Sequence, residues 1–347
     1  MESTQTPIGP ASATGDFRRS ERDKLKRSRA LIGFALLVVL LVAAPFFLYP
    51  LFLIQILCFA LFASSFNLLF GYSGLMSFGH SAFFGFASYV AANLAKEFAV
   101  TPELAIIGGV SSAAIMGAVF GLIAIRRQGI YFAMITLGLA QMFYFLCLQA
   151  DWFSGGENGI QAVPRGKLLG LIDLANDKTL YVLVAAIFFA GILFIYRVVH
   201  SPFGRILKII RDNEPRAISL GYDTQHYKLI AYILSATLTG VAGATKAIAF
   251  QFATLTDVHW SMSAEPVLMT LVGGLGTFSG PIVGAAIIVT MQNSLAGLGA
   301  WVLFLQGFIF VICVLVLRDG VVGVSARAAA KVANWVRVPR SRFRRWR

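Results

Sequence analysis

The chain reads as long apolar runs separated by short polar punctuation. The runs fall at 31–49, 51–70, 80–95, 104–125, 130–150, 179–196, 228–250, 264–272, 281–295 and 300–317. A bilayer core accepts roughly 20 apolar residues per helix. Continuous runs of this kind predict helices, because a membrane barrel shows short segments of alternating polarity instead. The pattern predicts an all-α fold: a polytopic helical membrane protein with about 8–10 transmembrane segments. One stretch breaks the pattern. In Ser201–Gly221, SPFGRILKIIRDNEPRAISLG, Phe203, Ile206, Leu207 and Ile210 fall on one helical face, with Arg205, Lys208 and Arg211 off it. Ser201 can cap this helix and Pro202 suits its first turn; Pro215 suits the start of a second short helix, and Gly221 is a stop. An amphipathic segment of this kind fits either a docking surface for a partner or a helix lying on anionic lipid.

Composition agrees: 58% of the 347 residues are hydrophobic and 13% charged, with a mean hydropathy of +0.76. The net charge of +13 would suit nucleic acid, but its distribution points elsewhere. Seven Lys/Arg lie between Arg18 and Arg29, two at Arg126/Arg127, six in 197–228 and nine in 318–347. All four clusters flank apolar runs, as the positive-inside bias of cytoplasmic loops requires. Both termini are therefore expected to be cytoplasmic, with 151–178 outside and the tails in contact with lipid. Lys96, Arg165, Lys167, Lys178 and Lys246 escape this rule; the first four fall in or beside external loops, and Lys246 is expected to snorkel. Counting crossings then makes 264–272 and 281–295 a down-and-up pair broken at 273–281, because one straight span there would put the nine C-terminal cations outside. Cys58, Cys147 and Cys313 sit within apolar runs, without metal-ligand spacing.

Two Gly-rich breaks interrupt the helical pattern, GYSGLMSFGHSAFFG at 71–85 and GGLGTFSGPIVG at 273–284. Open backbone at membrane depth must be buried in protein or line a wet cavity. Such breaks either border a transport path or let helices pack closely. Asn67, Gly71, Tyr72, Gly74, Ser77, Gly79 and His80 at the first, and Gly273, Gly274, Gly276, Thr277, Gly280 and Pro281 at the second, are the candidate path residues. His80 taken alone reads better as a hydrogen-bonded structural histidine than as a proton carrier. Glu265, beside Pro266, reads as interfacial. The loop SGGENGI at 154–160 predicts tight turns with positive φ; Gly155, Gly156, Glu157, Asn158 and Gly159 fit a docking or gating element, or an ordinary loop.

The chain contains no G-x-x-x-x-G-K-[ST] phosphate loop, HExxH or GxSxG motif, so neither nucleotide hydrolysis nor enzymatic catalysis is expected of it. An ion-coupled secondary carrier remains an alternative, with His80 and Lys246 as its few ionisable groups at depth.

Taken together and in order, five motifs resemble the branched-chain amino acid ABC transporter permeases of the LivM type, in the LivH/LivM family. They are GYSGLMSFGHSAFFGFASYVAANL, YFAMITLGLAQMFYF followed by SGGENGI, the segment from 201 to 244, LVGGLGTFSGPIVGA, and RDGVVG at 318–323. The likeness covers roughly 31 to 323, between a basic tail at 1–30 and another at 324–347. It implies a type II ABC importer permease in a bacterial inner membrane. A second homologous permease, two cytoplasmic ATPases that bind the ATP, and a periplasmic binding protein would complete the importer. No cofactor or metal is implied for this chain itself. By the same resemblance, 201–221 is the ATPase-coupling segment, with Gly204, Arg205, Arg211, Asn213, Glu214, Ala217 and Gly221 fitting its pattern. The loop at 155–159 would face the binding protein. The implied cargo is leucine, isoleucine and valine; similar permeases carry urea, short amides or aromatic acids.

Overall fold

The computed structural model describes residues 32–168, 170, 172–299, 301–316, 320–324 and 327. The tail at 1–30, nearly all of that at 324–347, and Arg318 and Asp319 of the RDGVVG motif lie outside the described residues. The chain divides into two units, 1–49 and 50–347. In the first, α1 (Ile32–Phe46) is an apolar helix that closes in a 3-10 turn over Ala44–Phe46.

The second unit carries α2 (Pro50–Ser73), α3 (His80–Lys96), α4 (Pro102–Ala124), α5 (Ile130–Gln149), the single turn α6 (Asp151–Ser154) and α7 (Asp177–His200). It continues through α8 (Pro202–Asp212), α9 (Glu214–Ser219), α10 (Thr224–Phe250), α11 (Trp260–Gly273), α12 (Gly280–Leu295) and α13 (Trp301–Val316). Five helices among the described residues, α2, α4, α5, α7 and α10, are long and apolar enough to cross a membrane. The expected runs therefore become helices, most within a few residues. α10 begins at Thr224, four residues ahead of its apolar run, because the Asp223 side chain accepts the His226 N–H and caps it in polar sequence.

The core lies where α2, α3, α4 and α10 meet. Apolar all round, α2 is buried along most of its length, as a helix without a polar face must be. Small residues bring the backbones together: a Cβ on Gly243 of α10 would strike the Phe84 carbonyl of α3, and one on Gly117 of α4 would strike Ala236 of α10. Helices in lipid gain little from the hydrophobic effect between them, so close approach and shared hydrogen bonds supply the association. Here the bonds form a buried seam: Ser65 Oγ lies 2.7 Å from Thr239 Oγ1, Ser235 Oγ donates to the Ser65 carbonyl at 2.6 Å, and Ser88 Oγ donates to the Gly243 carbonyl at 2.8 Å. By contrast, α4, α5 and α7 expose apolar side chains such as Ile115, Met134, Phe145 and Val182, the sides left for lipid or another subunit.

At the end of the bundle away from α8 and α9, two-residue strands brace the loops. β1 (Ile160–Gln161) pairs antiparallel with β4 (Phe252–Ala253), and β2 (Lys167–Leu168) with β3 (Ile172–Asp173). Lys246 corrects the sequence reading here. It does not snorkel: its Nζ lies 2.7 Å from both carboxylate oxygens of Asp257, in a buried pair, and 4.6 Å from the Phe252 ring centroid. Turning back over its own helix end, the chain supplies an anion within reach, so the charge is neutralised inside the protein. Arg165 bonds to Asp177 at 2.9 Å and to the Ala249 carbonyl at 3.0 Å.

Candidate functional site

The break at 273–281 folds as a tight antiparallel helical hairpin. A Cβ at Gly273 would collide with the Gly280 backbone, and one at Gly284 with the Met269 carbonyl. Further along, Glu265 Oε1 accepts from Gln292 Nε2 at 2.9 Å and from Gln306 Nε2 at 3.3 Å, joining α11, α12 and α13. Glu265 is thus held in a polar cluster between helices, not left at the interface as the sequence suggested. Small residues let the two arms pack closely, while the tip stays half-buried, with Leu275 and Ser279 exposed.

The two Gly-rich breaks meet. Asn67, on α2 one turn before Gly71, donates Nδ2 to the Thr277 carbonyl at 2.9 Å and accepts the Gly276 N–H on Oδ1 at 3.0 Å. A single carboxamide thus satisfies two backbone groups of the hairpin tip. Gly71 has no room for a Cβ, which would overlap the Asn67 amide and approach the Gly276 nitrogen at 2.9 Å. Thr277 Oγ1 donates to the Gly274 carbonyl at 2.7 Å and accepts the Gly280 N–H at 3.1 Å. Pro281 occupies the first turn of α12, where its missing N–H costs nothing.

Of the other candidate path residues, Ser77 and His80 are wholly buried. Ser77 Oγ accepts the Gly79 N–H at 3.2 Å, and Gly79 abuts the Thr136 backbone of α5. His80 Nε2 lies 2.9 Å from Ser235 Oγ, and its ring is edge-on to Phe66, Phe83 and Tyr232. The ring is thus held inside the protein by one side-chain bond and by aromatic packing. The loop 74–79 and the start of α5 border an open apolar cavity of about 430 Å³, lined by Gly74, Leu75, Met76, Phe78 and residues from Gly129 to Leu137. His80→Ala is expected to cost about 3 kcal/mol of stability through the cavity and the lost bond, leaving the pH profile of the surviving activity unchanged. Thermal unfolding and a pH series check this; an altered profile would instead make His80 a proton carrier.

The segment 201–221 forms two helices, as its sequence predicts. Ser201 Oγ accepts the Gly204 N–H at 3.3 Å and Asn213 Oδ1 accepts the Arg216 N–H at 3.1 Å, capping α8 and α9 in turn. Gly204 passes so close to the Val198 and Val199 carbonyls that no side chain fits, and Gly221, with φ +84°, ends the unit. Leu207, Ile210 and Ala217 are buried.

Its charges divide between two sides. Arg205 and Arg216 are exposed, beside exposed Ile209, Ile218 and Leu220. Arg211, expected to lie off the packed face, remains 39% exposed but also reaches the bundle and donates Nη1 to the Gly71 carbonyl. Glu214 meets Lys228 of α10 at 2.6 Å in a largely buried pair, and Lys208 Nζ stands 5.2 Å from the centroid of the Tyr72 ring. None of these inward partnerships is legible from local spacing, since each joins segments distant in the chain.

At the opposite end, Gly155, Gly156 and Gly159 all have positive φ, near +72°, +60° and +64°, as SGGENGI predicts. The loop is fixed: Gly156 N–H donates to Ser154 Oγ at 3.1 Å, Asn93 Nδ2 donates to the Phe153 carbonyl at 2.7 Å, and Gly159 lies against the Ala253 carbonyl. Glu157 and Asn158 sit in its 3-10 turn, with Glu157 exposed. Among the described residues no three His, Cys, Asp or Glu side chains gather as a metal-ligand set.

Residues 48–315 match the family described as the branched-chain amino acid transport system permease component. The chain belongs to this family. The permease is 25% identical over 292 residues to the high-affinity branched-chain amino acid transport system permease protein LivM of Escherichia coli, covering 77% of this chain and 68% of that protein. It is 26% identical over 270 residues to the LivM protein of Salmonella typhimurium, covering 71% and 63% respectively. The permease thus spans about two thirds of the length of these relatives. It is also 28% identical over 173 residues to the ribose import permease protein RbsC of Bacillus subtilis, covering 47% of this chain and 51% of that one. The resemblance read from the five motifs therefore holds, and so does the helical membrane fold.

Proposed function

We propose that this chain is a permease subunit of an ATP-driven ABC importer in a bacterial inner membrane, with both termini cytoplasmic. Together with a second homologous permease it forms the path for leucine, isoleucine and valine. A periplasmic binding protein delivers the cargo to the face carrying 155–159, and two ATPase subunits bind the ATP. Residues 31–323 make the transmembrane domain, between the two basic tails. The observation that carries this reading is the exposed face of α8–α9, where Ile209, Ile218 and Leu220 stand with Arg205 and Arg216 outside the spanning helices. Exposed apolar anchors beside two cations suit a groove on a protein partner with an acidic rim. The LivM names of the two relatives support the cargo, while the ribose permease among the relatives shows why cargo must be measured.

The test is uptake into sealed vesicles holding this chain and its genomic neighbours, with and without ATP. Leucine, isoleucine, valine, urea, benzoate and ribose form the panel. Uptake of the branched-chain acids that needs both ATP and the neighbours is expected; uptake by this chain alone on an ion gradient would make it a secondary carrier. Ile218→Asp with Leu220→Asp is expected to lower ATPase co-purification at least tenfold, since burying two unpaired carboxylates opposes docking by more than 1.4 kcal/mol. Undiminished co-purification would place the ATPase contact elsewhere.

A further inference from the structure

We propose that Arg211 and Asn67 are positioning residues that transmit movement of α8 into both Gly-rich breaks, and that Arg211 does not belong to the ATPase contact. This rests on the proposed coupling role of 201–221 and says how that segment reaches the bundle.

Gly71 lies in the last turn of α2, where carbonyls lack an intrahelical N–H partner. Arg211 Nη1 supplies the donor from the last turn of α8. The same guanidinium donates Nε and Nη2 to the exposed Asp212 Oδ1 at 3.2 and 3.1 Å. Its stem covers Gly74, where a Cβ would come within 2.9 Å of Arg211 Cγ. Its Nη1 also stands 3.3 Å from the position a Cβ of Gly276 would take. One arginine therefore bonds to the first break at Gly71 and occupies the space beside Gly74 and, in the second break, Gly276. Asn67 completes the linkage by tying α2 to that tip through Gly276 and Thr277.

The parts are matched to rigid motion. Positive φ at Gly74 and Gly276, +77° and +70°, lets both loops turn beneath the arginine without side chains between. Leu207 and Ile210 are buried one turn apart, so α8 shifts as a single rigid helix against the bundle. A shift of α8 thus pulls the Gly71 carbonyl and presses on the hairpin tip. Lysine cannot replace this fork, since its single ammonium does not hold Asp212 and Gly71 in one plane.

The experiment uses the assembled complex in proteoliposomes, after ATP-dependent uptake by the unaltered complex has been recorded; without that uptake both the coupling role and this proposal fall. Arg211→Met and Asn67→Leu are each expected to keep ATPase co-purification and ATP hydrolysis within twofold while lowering uptake at least tenfold. Arg211→Lys, which keeps charge and helix propensity should the methionine variant fold poorly, is expected to lower uptake severalfold. The double variant is expected to be no worse than the poorer single one, because both act in one linkage. Hydrogen exchange supplies a readout independent of uptake: ATP should still alter exchange in 201–221 of Arg211→Lys, but no longer in 71–79 and 274–280. Uptake within twofold of normal in all the variants, or loss of ATPase co-purification in Arg211→Lys, overturns the proposal. In the latter case Arg211 would be a docking residue, with the importer reading itself intact.

Discussion

Lys246→Met alone is expected to cost about 3–5 kcal/mol, and Lys246→Met with Asp257→Asn to recover most of it. Removing one member of a buried ion pair strands the other charge, whereas removing both charges is often nearly neutral. The Lys246 and Asp257 side chains are only 10% and 4% exposed, so water does little to relieve the stranded carboxylate. The asparagine keeps an oxygen for the Thr254 N–H, which Asp257 Oδ2 accepts at 3.3 Å. The single variant should lower the unfolding midpoint of the purified protein by roughly 10 °C. The damage should begin in 251–259, which the pair holds down and which braces the 155–159 loop through β1 and β4. Equal midpoints for the single and double variants would show that the pair carries no such coupling.

The second large effect is expected at Gly284. Gly284→Val would drive a branched side chain into the Met269 backbone, where α11 and α12 leave no room for a Cβ. Backbone on both sides cannot rotate away as a side chain would, so the hairpin must splay. Splaying pulls the tip from Asn67 and separates Glu265 from Gln292. Overpacking typically costs 1–3 kcal/mol where side chains can yield; here a loss above about 3 kcal/mol is expected, with low yield of folded protein. Gly284→Ala, carrying one carbon, should be the milder of the two, and thermal unfolding of both gives the order. A valine variant as stable as the unaltered protein would mean that the helices do not pack this closely.

Much of this architecture is legible in the chain because bilayer physics is one-dimensional. Apolar run length is enough for α2, α4, α5, α7 and α10, and the asymmetry of cations demands that 264–295 turn back on itself. Local rules likewise suffice for the Ser201 and Pro202 start of α8 and for the positive φ values in SGGENGI. A lone polar residue in an apolar run is different. Asn67, His80 and Lys246 each announce an unmet hydrogen-bonding or electrostatic need, but the partner lies elsewhere in the chain. Lys246 finds its anion where the chain folds back at Asp257, while His80 finds a hydroxyl on α10. The charges of 201–221 show the same limit. An amphipathic pattern separates an apolar face from a polar one, yet Arg211 and Glu214 satisfy themselves against the bundle. Run length and local chemistry are thus enough for the helices, the Ser201 cap and the places where the backbone must break. That the two breaks and the amphipathic segment meet at Asn67 and Arg211 emerges from the packed fold alone, because pairing polar groups across distant segments depends on how the helices pack.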